Sequence, residues 1–376
     1  MDISIILTYR CNSRCSMCNV WKNPTVPDDE ITLETMAKLP DNIDALNMTG
    51  GEPTLRNDLG EIADLLYHKA RKFEISSNGL HSERIEPIIK KYPDVKIRFS
   101  LEGFEEKSNL IRGEKGGFQK KVAGLRRLKE LGGTDLGFAL TIQDDNAEDL
   151  VELFRFAQKE GFELSTSTLH NGFQFHKTDN AAYDRIRVAH YMEKLIVEQL
   201  KTYNVKNWFR AYLDLGLVAR VLGNDRLLPC PAGTDILFVD PWSDVYGCNV
   251  RPDLKMGNLA EQLWDEIYNG PVATEVRKKV AQCKQNCWMV GSAKTAMRHP
   301  KFTKLPRWTP FAWVLENKIR LMLGGNIDFK RYVDYSRVNP NAEVTHRSYY
   351  LDQPGERKVQ RKDDVHYVHL GNYDNR

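Results

Sequence analysis

Short apolar runs alternate with amphipathic segments along the first 170 residues of the chain. Apolar runs rich in β-branched and aromatic residues are typical of strands, and a helical spacing of apolar residues is typical of helices. The pattern predicts strands at 3–9, 45–49, 73–76, 95–101, 136–142 and 162–168. It predicts helices at 33–39, 59–72, 82–92, 118–131, 148–160 and 181–200. A helix therefore separates each strand from the next.

This alternation predicts a parallel sheet, because parallel neighbours need a long crossover and a helix usually supplies it. Right-handed crossovers place the helices on the outside of the sheet. Six strands fall short of the eight that close a full barrel. We therefore expect an α/β fold with a partial (β/α)6 TIM-like barrel over residues 1–205.

The rest of the chain follows a different pattern. Two short strands and two helices are expected after the barrel, at 236–239, 244–246, 260–268 and 272–281. They indicate a small α+β domain over residues 206–295. Residues 296–376 contain an amphipathic stretch at 313–323 and then a polar, basic tail, so we expect a partly helical C-terminal extension.

Composition narrows the class of protein. The 376 residues are 41% apolar and 28% charged, which is ordinary for a soluble globular chain with a large and a smaller domain. A net charge of +3 does not favour a nucleic-acid partner. No apolar run of about 18 residues predicts a transmembrane segment, and the N-terminus lacks the features of a signal peptide. We therefore expect a cytoplasmic protein that binds no nucleic acid.

The cysteines fall into two groups. Seven is an odd number, which disfavours a fully paired disulfide framework. The early group consists of Cys11, Cys15 and Cys18. The late group consists of Cys230, Cys248, Cys283 and Cys287. Grouped thiols in a cytoplasmic chain bind metal more often than they form disulfides.

The early cysteines have the spacing CxxxCxxC and follow the first predicted strand. Three thiolates on one loop can hold three irons of a cubane cluster and leave the fourth iron open. A zinc ion would need a fourth protein ligand, and this loop contains none. The loop is expected at the carboxyl edge of the sheet, where barrel enzymes place their chemistry. Structural zinc or free thiols are the alternatives.

A second motif, Thr49-Gly50-Gly51-Glu52-Pro53, ends the second predicted strand. Its glycines let the backbone approach a ligand closely. Glu52 and the strand-end carbonyls offer acceptors for an ammonium group. Together with CxxxCxxC, this motif resembles the radical S-adenosylmethionine (radical SAM) superfamily.

The resemblance implies a [4Fe–4S] cluster on the early cysteines and S-adenosylmethionine on its open iron. It implies reductive cleavage of the cofactor to a 5′-deoxyadenosyl radical, which takes a hydrogen atom from an unactivated C–H bond. A reducing partner such as a flavodoxin or a ferredoxin would supply the electron. The resemblance places Gly50, Gly51 and Glu52 at the amino group of the cofactor.

Weaker similarities extend the cofactor site. Ser77, Asn78 and Ser100 match family positions near the carboxylate and the ribose of the cofactor. Arg112 is a candidate to pair with that carboxylate, and Met17 matches the position whose backbone meets adenine. The alternative is that Ser77 and Asn78 form a turn and that Arg112 makes a surface ion pair.

The late cysteines and the segments between them resemble the SPASM auxiliary-cluster extension and its shortened twitch form. Four thiolates suffice for one closed cubane, so we expect the twitch form with one auxiliary [4Fe–4S] cluster. Two positions depart from the family pattern. Ser243 replaces a frequent glycine, and the CxxxC of Cys283 and Cys287 replaces the more familiar CxxC. A structural zinc ion and a metal-free pair of helix neighbours are the alternatives.

Three residues are candidates for catalysis. Asp240 and Arg251 flank Cys248, and His170 follows the sixth predicted strand. Each is a candidate to face the substrate, and one of the residues around Cys248 could act as the base in an oxidation. The alternative is that they are turn or packing residues.

The expected function is hydrogen-atom abstraction from a small-molecule or carrier-linked substrate, for example in the oxidation of a sugar or another alcohol. Peptide modification is the alternative enzymatic function. Only ten residues precede Cys11, so we expect no N-terminal leader-binding domain of the kind that many peptide-modifying relatives carry. A non-catalytic, zinc-binding interaction protein is the alternative from another class.

Overall fold

The computed structural model describes residues 1–298, 309–338, 356–360 and 365–369. Its main strands are β1 Asp2–Ile6, β2 Ala45–Thr49, β3 Phe73–Ser77, β4 Lys96–Ser100, β5 Leu136–Ile142, β6 Glu163–Thr168, β7 Ile236–Val239, β8 Asp244–Tyr246 and β9 Lys255–Asn258. They form one sheet in the order β6-β5-β4-β3-β2-β1-β7-β8-β9. A separate antiparallel pair consists of β10, Glu356–Gln360, and β11, Val365–His369.

Helices connect the strands and follow them. The α-helices of the described residues are α1 Leu33–Ala37, α2 Leu59–Lys69, α3 Glu86–Lys91, α4 Glu105–Arg112, α5 Gly117–Glu130, α6 Leu150–Glu160, α7 Arg185–Lys201, α8 Val205–Val221, α9 Trp264–Asn269, α10 Pro271–Ala281, α11 Val290–Arg298 and α12 Pro310–Met322. Local sequence sets several ends. Thr32 is the N-cap of α1, because its side chain accepts a hydrogen bond from the N–H of Thr35. Gly161 is the C-cap of α6, and its φ of 74° favours glycine.

Strands β1 to β6 are parallel and pair in chain order, so the predicted partial (β/α)6 barrel is confirmed. The sheet is open, with β6 at one edge and β9 at the other. The strands predicted at 45–49 and 136–142 have the bounds found in the structure, and the other four barrel strands differ by one to three residues at an end.

The sheet continues beyond the boundary that the sequence places after residue 205. Strand β7 pairs in parallel with β1, in the register Ser4 to Phe238, and β8 and β9 follow in antiparallel orientation. The region of the late cysteines is therefore an extension of the barrel sheet. Helix α12, which matches the predicted amphipathic stretch, packs Trp313 against Tyr212 of α8 at 5.6 Å. The predicted polar tail lies largely outside the described residues.

The two faces of the parallel sheet differ in polarity, because successive side chains point to opposite faces. One face is apolar and buried, and includes Ile5, Met48, Ile75, Phe99, Leu140 and Leu164. The other, called here the inner face, carries partly exposed polar residues: Ser4, Asn47, Ser76, Ser100, Thr141, Ser165 and Ser167. Closed barrels fill this side with branched apolar side chains. The inner face therefore offers space and hydrogen-bonding groups to a polar ligand.

Candidate functional site

The loops after β1 and β2 lie against each other at the carboxyl edge of the sheet. The N–H of Gly51 donates to the Thr8 carbonyl at 2.6 Å, and the N–H of Glu52 donates to the Arg10 carbonyl at 2.8 Å. A Cβ on Gly51 would lie 2.4 Å from the Arg10 carbonyl oxygen, and one on Gly50 would lie 2.8 Å from that of Thr8. The sequence assigned these glycines to a ligand. In the structure they let the motif contact the segment that leads into the early cysteines.

Glu52 connects the ends of β2 and β3. Its carboxylate is buried, and Oε1 accepts from the N–H and the hydroxyl of Thr54 at 3.0 and 2.7 Å and from the Ser77 hydroxyl at 2.9 Å. Oε2 accepts from the N–H of Asn78 at 2.6 Å. The Asn78 side chain donates to Asn12, between the early cysteines, at 2.6 Å. The structure thus brings three predicted residues, Glu52, Ser77 and Asn78, together beside the cysteines.

The three early cysteines face one another as free thiols. Burial raises the pKa of Cys11 and of Cys18 to about 12, and neighbouring early thiols add to both shifts. Burial also raises the pKa of Cys15. Thiols in such a place stay protonated unless a bound cation stabilises the thiolates, as iron does. The donor set therefore fits a metal cluster that brings its own positive charge.

The spacing of these donors bears on which metal group they fit. Among the described residues, no three His, Cys, Asp or Glu side chains are gathered closely enough to hold a single metal ion. Ligands of one zinc ion all meet at that ion, whereas the thiolates of a cubane each bind a different iron. The CxxxCxxC loop supplies three thiols and no fourth ligand, which fits a cubane with an open iron better than it fits zinc.

A buried ion network supports the loop that carries the early cysteines. Glu30 accepts from Arg10 at 2.9 and 2.7 Å, from Thr25 at 2.6 Å and from Thr8. Burial alone would raise the pKa of Glu30, but these donors lower it. Arg56 also pairs with Glu30, at 3.3 Å. The sequence analysis missed Glu30, because a lone glutamate between two loops carries no spacing signal.

Arg112 lies beside Cys15 but already has carboxylate partners. Its Nη1 donates to Glu102 and its Nε donates to Glu114, both at 3.0 Å. The Arg112 carbonyl accepts from the N–H of Arg14 at 2.9 Å, which attaches the end of α4 to the cysteine loop. The sequence offered a cofactor carboxylate or a surface ion pair as its partner. The surface ion pair is wrong, because Arg112 is buried and pairs with Glu102 and Glu114, which were not predicted. Its contact with the cofactor carboxylate stays a prediction.

The loop after β6 contacts the cysteine loop and contains His170. The N–H of Asn19 donates to the Phe175 carbonyl at 3.0 Å. The Asn180 side chain donates to the carbonyls of Met17 and His170 at 3.0 and 2.9 Å. His170 is buried at this edge of the sheet and its Nδ1 contacts the Thr168 carbonyl, so its role towards the substrate stays a prediction. The Met17 backbone, the predicted adenine contact, lies in the same network.

Asp240 and Arg251 lie in turns near Cys248. Asp240 Oδ1 accepts from the N–H groups of Trp242 and Asp244, both at 3.0 Å, and so builds the turn between β7 and β8. Arg251 pairs with Asp253 at 2.7 Å. These contacts stabilise the turns in which both residues lie. Their catalytic role stays a prediction.

The four late cysteines, called here the auxiliary cysteines, are also brought together. Cys248 follows β8, and burial raises its pKa to about 12, with contributions from the Cys230 and Cys287 thiols. Burial raises the pKa of Cys287 to about 11, and the Cys283 and Cys230 thiols add to this shift. The donor set is four buried or half-buried thiols from segments far apart in the sequence, which fits a closed cubane.

Comparison with protein families matches both cysteine groups. The radical SAM superfamily matches residues 5–157, which include the early cysteines. The SPASM iron–sulfur cluster-binding domain matches residues 230–288, which include all four auxiliary cysteines. In the part of the chain that the structure describes, no helix is long and apolar enough to cross a membrane.

Individual relatives agree with these matches. The pre-heme d1 synthase of Dinoroseobacter shibae is 24% identical over 75% of this chain and 76% of its own. The mycofactocin maturase MftC of Mycolicibacterium smegmatis is 28% identical over 64% of this chain and 62% of its own, so the chain spans less than two thirds of that relative. The solved structure of anSMEcpe with bound AdoMet has a TM-score of 0.58 at 16% identity and covers 85% of this chain and 99% of its own. It shows the same fold.

Proposed function

Because this chain is a radical SAM enzyme with a SPASM domain, we propose that it removes a hydrogen atom from a small or carrier-linked substrate held against the inner face of the sheet. Its cofactors are S-adenosylmethionine, a [4Fe–4S] cluster and auxiliary iron–sulfur clusters. The first two supply the 5′-deoxyadenosyl radical, and we propose that an auxiliary cluster accepts an electron. The protein itself binds, orients and shields the substrate.

The cofactor end of the site rests on one observation, the hydrogen-bonded contact of the first two strand-end loops. We assign Cys11, Cys15 and Cys18 as ligands of the cofactor-binding cluster. The Gly51 contact at 2.6 Å fixes the second loop on the first, and Glu52 holds the third loop in turn. Three loops in fixed positions around three thiols are what binding a cofactor at an open iron requires.

The substrate end of the site is the polar inner face. Serine, threonine and asparagine side chains of β1 to β6 remain partly exposed there, among them Ser76, Thr141 and Ser167. Their hydroxyl and amide groups suit a polar substrate, and their small size leaves room for one. The relative named pre-heme d1 synthase, which matches over three quarters of this chain, also acts in small-molecule chemistry by its name. An alcohol oxidation would need a base, for which His170 and Asp240 are the candidates.

The proposal also covers the protein that reduces the early cluster and the cellular compartment of the enzyme. We propose a flavodoxin or ferredoxin as the donor, since cleavage of the cofactor needs a strong one-electron reductant. We propose a cytoplasmic location, because none of the seven cysteines forms a disulfide, which suits a reducing compartment.

Deuterium transfer would test the substrate class. Cells of the source organism are grown on deuterated medium, and their extract is separated into small-molecule and peptide fractions. Each fraction is incubated anaerobically with reconstituted enzyme, dithionite and S-adenosylmethionine, and the 5′-deoxyadenosine is analysed by mass spectrometry. We expect deuterated 5′-deoxyadenosine with the small-molecule fraction. A Cys15→Ala variant, which should form none, is the control.

Peptide modification is the second candidate, and the similarity to a mycofactocin maturase favours it. In the same experiment it predicts deuterium transfer from the peptide fraction alone. That result would overturn a small-molecule substrate while leaving the radical chemistry intact. If wild type forms no more 5′-deoxyadenosine than Cys15→Ala, the assignment of the early cysteines fails.

A further inference from the structure

Two arginines lie beside the auxiliary cysteines. Arg220 is in the last turn of α8, and Arg226 follows that helix. While burial raises the pKa of the Cys287 thiol, both guanidinium groups act against the rise, Arg220 more strongly than Arg226. Hydrogen bonds place both residues at this site, because Arg226 Nη1 donates to the Cys287 carbonyl and the side chain of Asn286 donates to the Arg220 carbonyl at 3.2 Å. Neither residue is marked by the spacing of the cysteines.

Neither arginine uses all of its donors. Arg220 is 8% exposed and donates from Nη1 to the Thr168 hydroxyl at 2.8 Å, while its Nε is buried without an acceptor. Arg226 donates from Nε to the Leu228 carbonyl at 3.2 Å and from Nη1 to the Cys287 carbonyl. Its Nη2 is buried without an acceptor. Each guanidinium thus has an N–H to offer to a further acceptor.

Their charges are also unbalanced. Within the described ranges neither arginine has a carboxylate within ion-pair distance, whereas the nearby Arg251 pairs with Asp253 at 2.7 Å. Arg220 is buried, and a buried charge without a carboxylate partner is costly. Arg226 is half-buried, and its guanidinium carbon lies 5.2 Å from the centroid of the Trp288 ring. A cubane held by four thiolates carries a net negative charge, and its sulfurs accept hydrogen bonds. Such a cluster would give both arginines a negatively charged partner and acceptors for their unused N–H groups.

We infer that Arg220 and Arg226 are the counter-charges of the auxiliary cluster and that they raise its reduction potential. The reduced cluster carries one more negative charge than the oxidised cluster, so nearby cations stabilise it more. Hydrogen bonds to the cluster sulfurs act in the same direction. This inference rests on the proposed assignment of the auxiliary cysteines.

The early cysteines lie in a different electrostatic setting. Arg112 is next to Cys15, but Glu102 and Glu114 neutralise its charge, and Lys121 also pairs with Glu114. The protein thus surrounds one cysteine group with balanced charges and the other with uncompensated cations. This difference in surrounding charge acts to raise the reduction potential of the auxiliary cluster.

A redox titration isolates the effect. The background is the variant Cys11→Ala, Cys15→Ala, Cys18→Ala, so that the auxiliary cluster gives the only signal in electron paramagnetic resonance. Arg220→Gln and Arg226→Gln should each shift the midpoint potential downwards, and the double variant should shift it further. Arg220→Lys and Arg226→Lys, which keep the charge, should each retain most of the wild-type potential. Arg155→Gln, at an exposed site, controls for the loss of net charge.

The possible results separate the inference from the cysteine assignment. If the triple-cysteine background holds no cluster, the assignment itself fails. If the cluster is present and both glutamine variants titrate like Arg155→Gln, the inference is wrong. If a glutamine variant loses the cluster, the lysine variants decide, because a counter-charge role predicts that lysine restores the cluster and a purely steric role does not.

Discussion

Glu52 illustrates how one carboxylate can organise a site. Its two oxygens accept four hydrogen bonds from the protein, which join the ends of two strands. The sequence analysis gave Glu52 a ligand-binding role from its motif. The structure adds a supporting role for the loop of Ser77 and Asn78, which a motif alone does not reveal.

Replacement of Glu52 by glutamine should weaken cofactor binding and leave the early cluster in place. One amide NH2 would then face the donors of Ser77, Thr54 or Asn78, and an unsatisfied buried group costs roughly 1–3 kcal/mol. We expect weaker binding of S-adenosylmethionine by calorimetry, with the iron content of wild type. Loss of iron at unchanged affinity would contradict this role.

Asp214 of α8 carries a fully buried carboxyl group. Burial raises its pKa from 3.8 to about 6, against hydrogen bonds from Thr166 and Gln199 that lower it. The unfolded chain releases this proton at lower pH than the folded chain. The contribution of Asp214 to stability is therefore greatest below a pH of about 4 and is lost as the pH rises towards 6.

The stability of Asp214→Asn relative to wild type should accordingly increase as the pH rises, because asparagine has no proton to lose. The difference in unfolding free energy should grow by roughly 1.5 kcal/mol between a pH of about 5 and a pH of about 8. Denaturant unfolding of both proteins at the two pH values measures it. A difference independent of pH would show that Asp214 does not titrate in this way.

Residues found from the sequence share a local signal, and those missed do not. The cysteines and the Gly-Gly-Glu-Pro motif have fixed spacing next to a predicted strand. Glu114 meets Ser13 across 101 positions, and Arg226 meets Cys287 across 61 positions. Only the folded chain brings such pairs together, so no pattern in the sequence could have indicated them.

At the scale of elements, most helices were predicted, and three of the described helices, α4, α8 and α11, were not. Helix α8, Val205–Val221, is buried along most of its length, and its buried residues include the polar Asn207, Arg210 and Asp214, so apolar residues alone do not mark its buried surface. Helix α4, Glu105–Arg112, is short and carries mostly polar residues. Both matter for function, because α4 attaches to the cysteine loop and α8 carries Arg220.

The glycines of the second loop give an element-scale prediction. Gly51→Ala should displace the cysteine loop, since the new Cβ would lie 2.4 Å from a backbone carbonyl that cannot move aside. We expect loss of the early cluster, about half of the iron. Gly60→Ala in α2 is the matched control, because nothing lies within 4 Å of that position. It should retain all iron and gain roughly 0.5–1 kcal/mol of stability. Equal iron in both variants would contradict the steric argument.

At the scale of the molecule, the sequence predicted the barrel but not how the late region attaches to it. Strand β7 comes more than 200 positions after β1 and pairs with it directly. Its four residues are apolar and buried, a pattern that indicates a strand and says nothing about its neighbour. The pairing of β7 with β1 matters because it places the segments that carry both cysteine groups on one sheet.

Removal of the early cysteines should leave an intact second metal centre. The variant Cys11→Ala, Cys15→Ala, Cys18→Ala should keep about four of about eight irons and form no 5′-deoxyadenosine. Chelation of that remaining iron should then lower the thermal midpoint of the protein, because ligands from distant segments lose their common anchor. Iron analysis and calorimetry measure both effects. Zinc at this site, or no metal, would contradict the auxiliary cluster.

The pairing of β7 with β1 also has a consequence for solubility. Strand β1 reads Asp-Ile-Ser-Ile-Ile, and β7 occupies the side that β2 leaves free. A fragment of residues 1–205 would expose that side as an unpaired, largely apolar edge, which is a template for intermolecular strand addition. We expect this fragment to aggregate, as followed by light scattering, whereas the full chain stays monodisperse. The auxiliary region thus also shields the barrel from self-association.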